Sequence, residues 1–325
     1  MRAGQLRTPR EARLSGFENG DFTYGIYGAF TETWPAFVIA PDLAQYVREY
    51  APDLALFRKL KVGAVADGEQ VMLNRARALM GETRAPLSLS DETFDETEYA
   101  AKYRDNPFFL LFYAVAKLHL AYLLNEPRVA LEFARLAGGL HPRLVGMIWT
   151  PVCDFWIGLT LAANYLDAAA DERATMLAEL QRAHATLAVL ANHCAVNYRC
   201  PALLLAAEIQ RITGAELAAV ELYEQALRFA EETDDIQHRA LANELCGRFW
   251  LGRGQETVAA AWLSEARACY ARWGAVTKVA EMEERYAARL RQSAQHASAA
   301  PAPRNPRFDS RSVHPRPSVA RNPPS

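Results

Sequence analysis

An all-α fold is what this sequence predicts, on three observations. Apolar residues recur at the helical period in nearly every segment from Phe22 to Arg291. Alternating β-branched runs bounded by turn pairs, the mark of strands, are almost absent. Glycines fall singly between the periodic segments, apart from the Gly138–Gly139 pair. The chain has 325 residues, 51% of them apolar and 23% charged, so it can bury a sizeable core. About eleven helices are expected.

Element boundaries follow from local chemistry. Pro52, Pro127 and Pro201 suit first helical turns, where proline loses no intrahelical bond. Asp91 or Asp95 suits the cap of a helix starting near Glu96, and Asn106 the cap before Pro107. Gly81, Gly214 and Gly274 suit helix ends. The polar stretch Glu82–Thr93, with Pro86, reads as a surface loop. The expected organisation is a flexible segment over 1–14, a helical repeat domain over 15–292 and a disordered tail over 293–325. From Ala297 the tail has seven prolines in 29 residues and too few apolar side chains to offset its ordering entropy.

The domain contains an internal echo at 40 residues. Gly214 pairs with Gly254, Glu216 with Glu256, Ala219 with Ala259 and Ala226 with Ala266. Ile209 with Phe249, Leu222 with Trp262 and Tyr223 with Leu263 match in size class. Glycine permits a tight turn, and alanines seven apart let neighbouring helices approach closely. A large apolar residue between them fills the adjacent groove. Small–large–small after a turn glycine is the tetratricopeptide pattern, here with a period longer than its usual ~34 residues. The predicted architecture is therefore an α-solenoid of helical hairpins, with Gly214, Ala219, Ala226, Gly254, Ala259, Ala266, Trp273 and Gly274 at its repeat positions. A generic helical bundle is the competing reading.

Charge and cysteines restrict the functional classes. The net charge is −2, with no basic footprint for nucleic acid. Five arginines against Asp309 make the tail basic and leave the body mildly acidic. Five cysteines, an odd number without scaffold spacing, fit a reduced cytoplasmic compartment. The arginine-bearing N-terminus has no apolar core of a secretory signal. The apolar window Leu144–Leu166 is interrupted by Pro151, Asp154 and Asn164, which favours a soluble core over a membrane span.

Motifs for chemistry are scarce. The sequence contains no phosphate-binding GxxxxGK[ST], GxGxxG, HExxH, GxSxG or kinase signature. His193, Cys194 and Cys200 are potential zinc ligands at a spacing unlike that of standard sites. Asp234, Asp235 and His238, after Glu231 and Glu232, permit a carboxylate–histidine pair, although acids at a helix start explain the cluster equally. Trp149, Phe155, Trp156, Phe249, Trp250, Trp262, Tyr270 and Trp273 have helical spacing, which assigns most of them to the core. No catalytic residue, cofactor or metal is assigned.

Longer stretches carry a resemblance. They are ALLLAAEIQRITGAELAAVELYEQALRFAEETDDIQHRALANELCGRFWLGRGQ and SEARACYARWGAVTKVAEMEERY, with GDFTYGIYGAF at Gly20–Phe30, Phe94–Tyr99 and NPFFLLFYAVAKLHLAYLL. Together they resemble the helical-repeat region of large hybrid signalling proteins, which join a Ser/Thr-kinase-like domain, a STAND-type AAA ATPase, repeats, a GAF domain and a sensor histidine kinase. The likeness spans Ser15 to Ala288 and is most specific from Tyr270 to Val279. The sequence holds no counterpart of the ATPase, GAF or kinase domains, so no catalytic residue carries over. The change after about Gln295 reads as a truncated or frame-shifted relative.

The resemblance implies a non-catalytic interaction or regulatory module that contacts a protein or peptide, such as an ATPase, GAF or kinase domain. Neither nucleic acid nor membrane is expected as a partner. A ligand-sensing repeat domain of an ATPase-type transcription regulator is the alternative, and an all-α enzyme the third. An open groove favours the scaffold, and a deep pocket with convergent carboxylates or histidines favours the enzyme.

Overall fold

The computed structural model describes residues 4–141 and 149–290. Fourteen α-helices, and no strand, occur among the described residues. In chain order they are α1 (Gly4–Glu18), α2 (Phe22–Ile39), α3 (Leu43–Lys59), α4 (Gly63–Met80), α5 (Glu96–Lys102), α6 (Pro107–Leu123) and α7 (Pro127–Leu140). Then follow α8 (Thr150–Asn164), α9 (Ala170–His193), α10 (Ala195–Thr213), α11 (Glu216–Glu232), α12 (Ile236–Leu251), α13 (Glu256–Trp273) and α14 (Val276–Arg285).

One turn recurs along the chain. A residue with positive φ stands at Lys61, Gly81, Asn125, Gly214, Asp234, Gly254 and Gly274. At each of these, the next residue's N–H closes on a carbonyl five positions back: Val62 on Phe57, Glu82 on Arg77, Glu126 on Ala121, Ala215 on Gln210, Asp235 on Ala230, Gln255 on Trp250 and Ala275 on Tyr270. This closure satisfies a carbonyl the helix end would otherwise leave open. At all but Gly81 the next helix starts immediately, so consecutive helices fold back on one another. The last four left-handed residues fall every twenty residues, which makes one hairpin forty residues long.

Two layers result. The even-numbered helices from α2 to α12 form the inner one: α2 packs on α4, α4 on α6, α6 on α8, α8 on α10 and α10 on α12. The odd-numbered helices lie outside, against their chain neighbours. An outer helix buries one stripe; on α11 it is Ala219, Tyr223, Ala226 and Ala230, at intervals of four, three and four. Inner helices are buried almost all round, and on α4 the polar Glu69, Gln70, Asn74 and Arg75 are enclosed along with Val71, Met72 and Leu73. The C-terminal helices return to the N-terminal ones. Gln237 Nε2 donates to Phe37 O at 2.6 Å, and Thr277 Oγ1 donates to Ala78 O at 2.7 Å. The Trp273 ring meets Phe37 edge-on at 5.9 Å.

Several boundary expectations need correction. The helix count is fourteen among the described residues, not about eleven. Lys61, Asn125 and Asp234 serve as left-handed turn residues without being glycine, and seven-residue α5 is too short for its period to show. Helix α1 occupies much of the segment expected to be flexible. Pro127 stands at the start of α7, but Pro52 and Pro201 lie inside α3 and α10. Packing outweighs the local cost of a helical proline there. The caps are Asp95 for α5 and Asn106 for α6. The expected disordered tail lies outside the described residues. No described helix is long and apolar enough to cross a membrane.

Ala226 and Ala266 have no exposed surface. Ala226→Trp and Ala266→Trp are each expected to destabilise the protein by about 1–3 kcal/mol or more through overpacking. Urea denaturation measures this, and unchanged midpoints would contradict close helix contact at these positions.

Candidate functional site

Buried charge on the inner helices is paired by a repeated arrangement. Glu32 on α2, Glu208 on α10 and Glu244 on α12 are each enclosed. Each accepts a hydrogen bond from a tyrosine of the next outer helix: Tyr50 at 3.0 Å, Tyr223, and Tyr270 at 2.9 Å. Each also meets an arginine: Arg10 at 3.0 Å, Arg211 at 2.6 Å and Arg248 at 2.6 Å. Glu244 has a further partner in Lys278, fully buried at 2.7 Å, which also reaches Glu281. Burial opposes ionisation of Glu244, but Arg248 and Lys278 outweigh it and hold its pKa down at about 2.

Helix α4 departs from this pattern at Glu69 and Arg75. Thr33 donates to Glu69 Oε1 at 3.0 Å, while Gln70 and Asn74 both donate to Asp91, at 3.2 and 2.9 Å. Burial keeps the Glu69 carboxyl well above its usual pKa. Arg75, only 1% exposed, has no carboxylate in salt-bridge reach among the described residues. Its Nε and Nη2 are fully enclosed with no hydrogen-bond partner. The guanidinium carbon lies 3.5 Å from the centroid of the Phe37 ring and 4.9 Å from that of Trp34. Burial lowers the Arg75 pKa to about 9, which still leaves a cation at neutral pH.

Arg75 lines a cavity of about 70 Å³ at the centre of the inner layer. Trp34, Phe37, His119, Phe155, Trp156 and His238 are among its buried walls. Val38, Ile39, Pro151, Val152, Asn197 and Tyr198 are half-buried and form its outer rim. Pro35 and Pro201 stand on the wall inside α2 and α10. A proline inside a helix frees a carbonyl and bends the axis, which opens space between packed helices. His119 stacks 4.4 Å from Trp156, and its Nδ1 is enclosed without a partner. Burial, then Arg75 and His238, hold its pKa well below the usual value, so the ring is neutral. His238 Nδ1 lies 2.6 Å from Asp235 Oδ2. No carboxylate lines the cavity among the described residues.

The residues singled out in the sequence fall as follows. Gly214 and Gly274 are left-handed C-caps of α10 and α13, and Gly254 occupies the turn before α13. Ala219, Ala226, Ala259, Ala266 and Trp273 are buried at helix contacts. Asp234 supplies a left-handed turn, and Asp235 caps α12 by accepting from the His238 N–H at 3.2 Å. Glu231 and Glu232 are exposed. His193 is exposed, while Cys194 accepts from Asn197 Nδ2 and buried Cys200 donates to Ala226 O. No group of three or more His, Cys, Asp or Glu residues that could hold a metal ion occurs among the described residues. Of the aromatics, Trp250 and Trp262 are half-buried and the other six buried; Phe155 and Trp156 reach the cavity. The Tyr270–Val279 stretch supplies Tyr270 and Lys278 to the Glu244 cluster, with Trp273 and Gly274 facing α2 and Leu43.

Sequence reading missed Arg75 and His119. His119 had the weak signal of a polar residue in the apolar run AKLHLAYL, while Arg75, between Asn74 and Arg77 in NRARALM, had none. Compared with models of known protein families the chain matches none, and no curated protein matches it significantly.

Because the folded-state pKa of Glu244 is depressed, its stabilisation is complete above its ordinary pKa and is lost as pH falls toward 2. The stability advantage of the parent over Glu244→Gln should therefore hold at neutral pH and shrink below about pH 4.5. Urea melts across pH 2.5–7 measure it, and an advantage independent of pH would contradict the assignment.

Proposed function

We propose that the chain is a non-catalytic, tetratricopeptide-like α-solenoid acting as a regulatory module of a signal-transduction protein. What carries the reading is the twenty-residue recurrence of the left-handed turn at Gly214, Asp234, Gly254 and Gly274, which makes the hairpin the repeating unit. The two-layer order of inner and outer helices supports it, since each solenoid repeat packs mainly on its neighbours. The sequence resemblance supplies the signalling context, and with it a neighbouring ATPase, GAF or kinase domain as the partner class.

A second reading, the ligand-sensing repeat domain, is favoured by one observation. The centre of the inner layer is closed around a small cavity holding an enclosed, unpartnered guanidinium. Such a core couples occupancy of the centre to packing of the helices around it, because close-packed helices respond as a unit. The enzyme reading needs convergent acids or a nucleophile beside a base. The wall of the central cavity offers arginine, histidine and aromatic side chains. A second cavity between α7, α8 and α9 gathers His141, Asp154, Asp171, Glu172 and Glu179 without a serine, cysteine or lysine among its described lining residues.

The experiment is a titration of ATP by calorimetry with a parallel phosphate-release assay on the full chain. Neither micromolar binding nor release is expected, because phosphoryl transfer needs a phosphate cradle and metal-holding acids. Micromolar binding, or turnover abolished by Asp235→Asn, would overturn the non-catalytic reading.

A further inference from the structure

The cavity at the centre of the inner layer carries more than the repeat architecture requires. Several other buried ionisable groups of the inner layer are answered by the chain itself: Glu32, Glu208 and Glu244 by arginine and tyrosine, Lys117 by Glu96, and one oxygen of Glu69 by Thr33. Arg75 is answered only by ring faces. Ring faces attract a desolvated cation, but by far less than the hydration it has lost. Its Nε and Nη2 are enclosed and unpartnered, as is His119 Nδ1, and both residues are among those lining the cavity.

We infer that this cavity binds the carboxylate of a small monoanionic ligand, with the Arg75 guanidinium as its counter-charge. The inference rests on the ligand-sensing form of the function proposed above. A guanidinium presents parallel N–H donors that match the two oxygens of a carboxylate. One cation in an apolar enclosure balances one negative charge; a phosphate dianion would leave a second charge buried and unanswered. Size agrees with this choice. A cavity of ~150 Å³ holds benzene, so about 70 Å³ admits a carboxylate and one or two carbons. The rest of the ligand lies against the half-buried rim of Val38, Ile39, Val152 and Tyr198, which suits an alkyl or aryl body.

The test uses the full chain with acetate, propionate, phenylacetate, propionamide and inorganic phosphate at constant ionic strength, read by calorimetry and thermal melting. Propionate and phenylacetate should bind and raise the melting temperature. Propionamide, of the same shape but neutral, should bind at least tenfold more weakly, a comparison that needs no variant. Arg75→Met should stay helical and melt no lower than the parent, since an enclosed charge is replaced by an apolar chain of similar length. It should lose at least tenfold in affinity for propionate and its melting shift. Equal binding of propionamide, undiminished binding by Arg75→Met, preference for phosphate, or no shift with any carboxylate would each overturn the inference. Absence of binding with ATP also inert sinks the pocket and leaves the repeat module standing. Turnover of a bound carboxylate, seen by proton NMR, sinks the non-catalytic reading and leaves the pocket standing.

Discussion

The left-handed turn is the constraint on which the rest of this structure depends. A helix end leaves carbonyls open, and here the chain closes one of them by a bond from the residue just after the left-handed position. Where the next helix starts at once, its axis must return along the one just finished. Repeated at twenty-residue intervals in the C-terminal half, the turn stacks hairpins of equal length. Equal hairpins place alternate helices in two layers, so the inner helices meet one another and the outer ones cover them.

Enclosing the inner helices has an electrostatic consequence. A charge there loses its hydration, so it must be met by the protein or remain costly. Glu32, Glu208 and Glu244 are each met by a tyrosine hydroxyl and an arginine, which makes the same polar joint at three places between layers. The tyrosine follows its glutamate at a different sequence distance in each case, so no fixed spacing marks the joint. Arg75 stands apart because it faces the centre, where the neighbouring helices offer Phe37, Trp34 and a neutral His119 instead of a carboxylate.

The centre also bears on the proposed regulatory role. Its walls come from α2, α4, α6, α8, α10 and α12 together, so anything held there touches nearly the whole inner layer. The return of Gln237 onto the end of α2 and of Thr277 onto the end of α4 ties the last hairpins to the first. The proposed sensing role would use these ties to carry a change at the centre to the first and last described hairpins.

The amino-acid sequence by itself determined the helical class, the 40-residue period and the burial of Ala219, Ala226, Ala259 and Ala266, because these are local or near-neighbour effects of side-chain size and turn chemistry. Glycine announced the turns at 214, 254 and 274, whereas Asp234, Lys61 and Asn125 adopt the same conformation without announcing it, which hid several helix boundaries. The prolines at 52 and 201 misled for the opposite reason: their local preference was overridden by packing. Only the tertiary structure decided which buried polar residues are partnered. Arg75 and Glu244 look alike in sequence, each a charge inside a helix of mixed polarity. Arg248 reaches Glu244 from four residues on along the same helix, but Tyr270 and Lys278 arrive from far along the chain, and no local pattern encodes their approach.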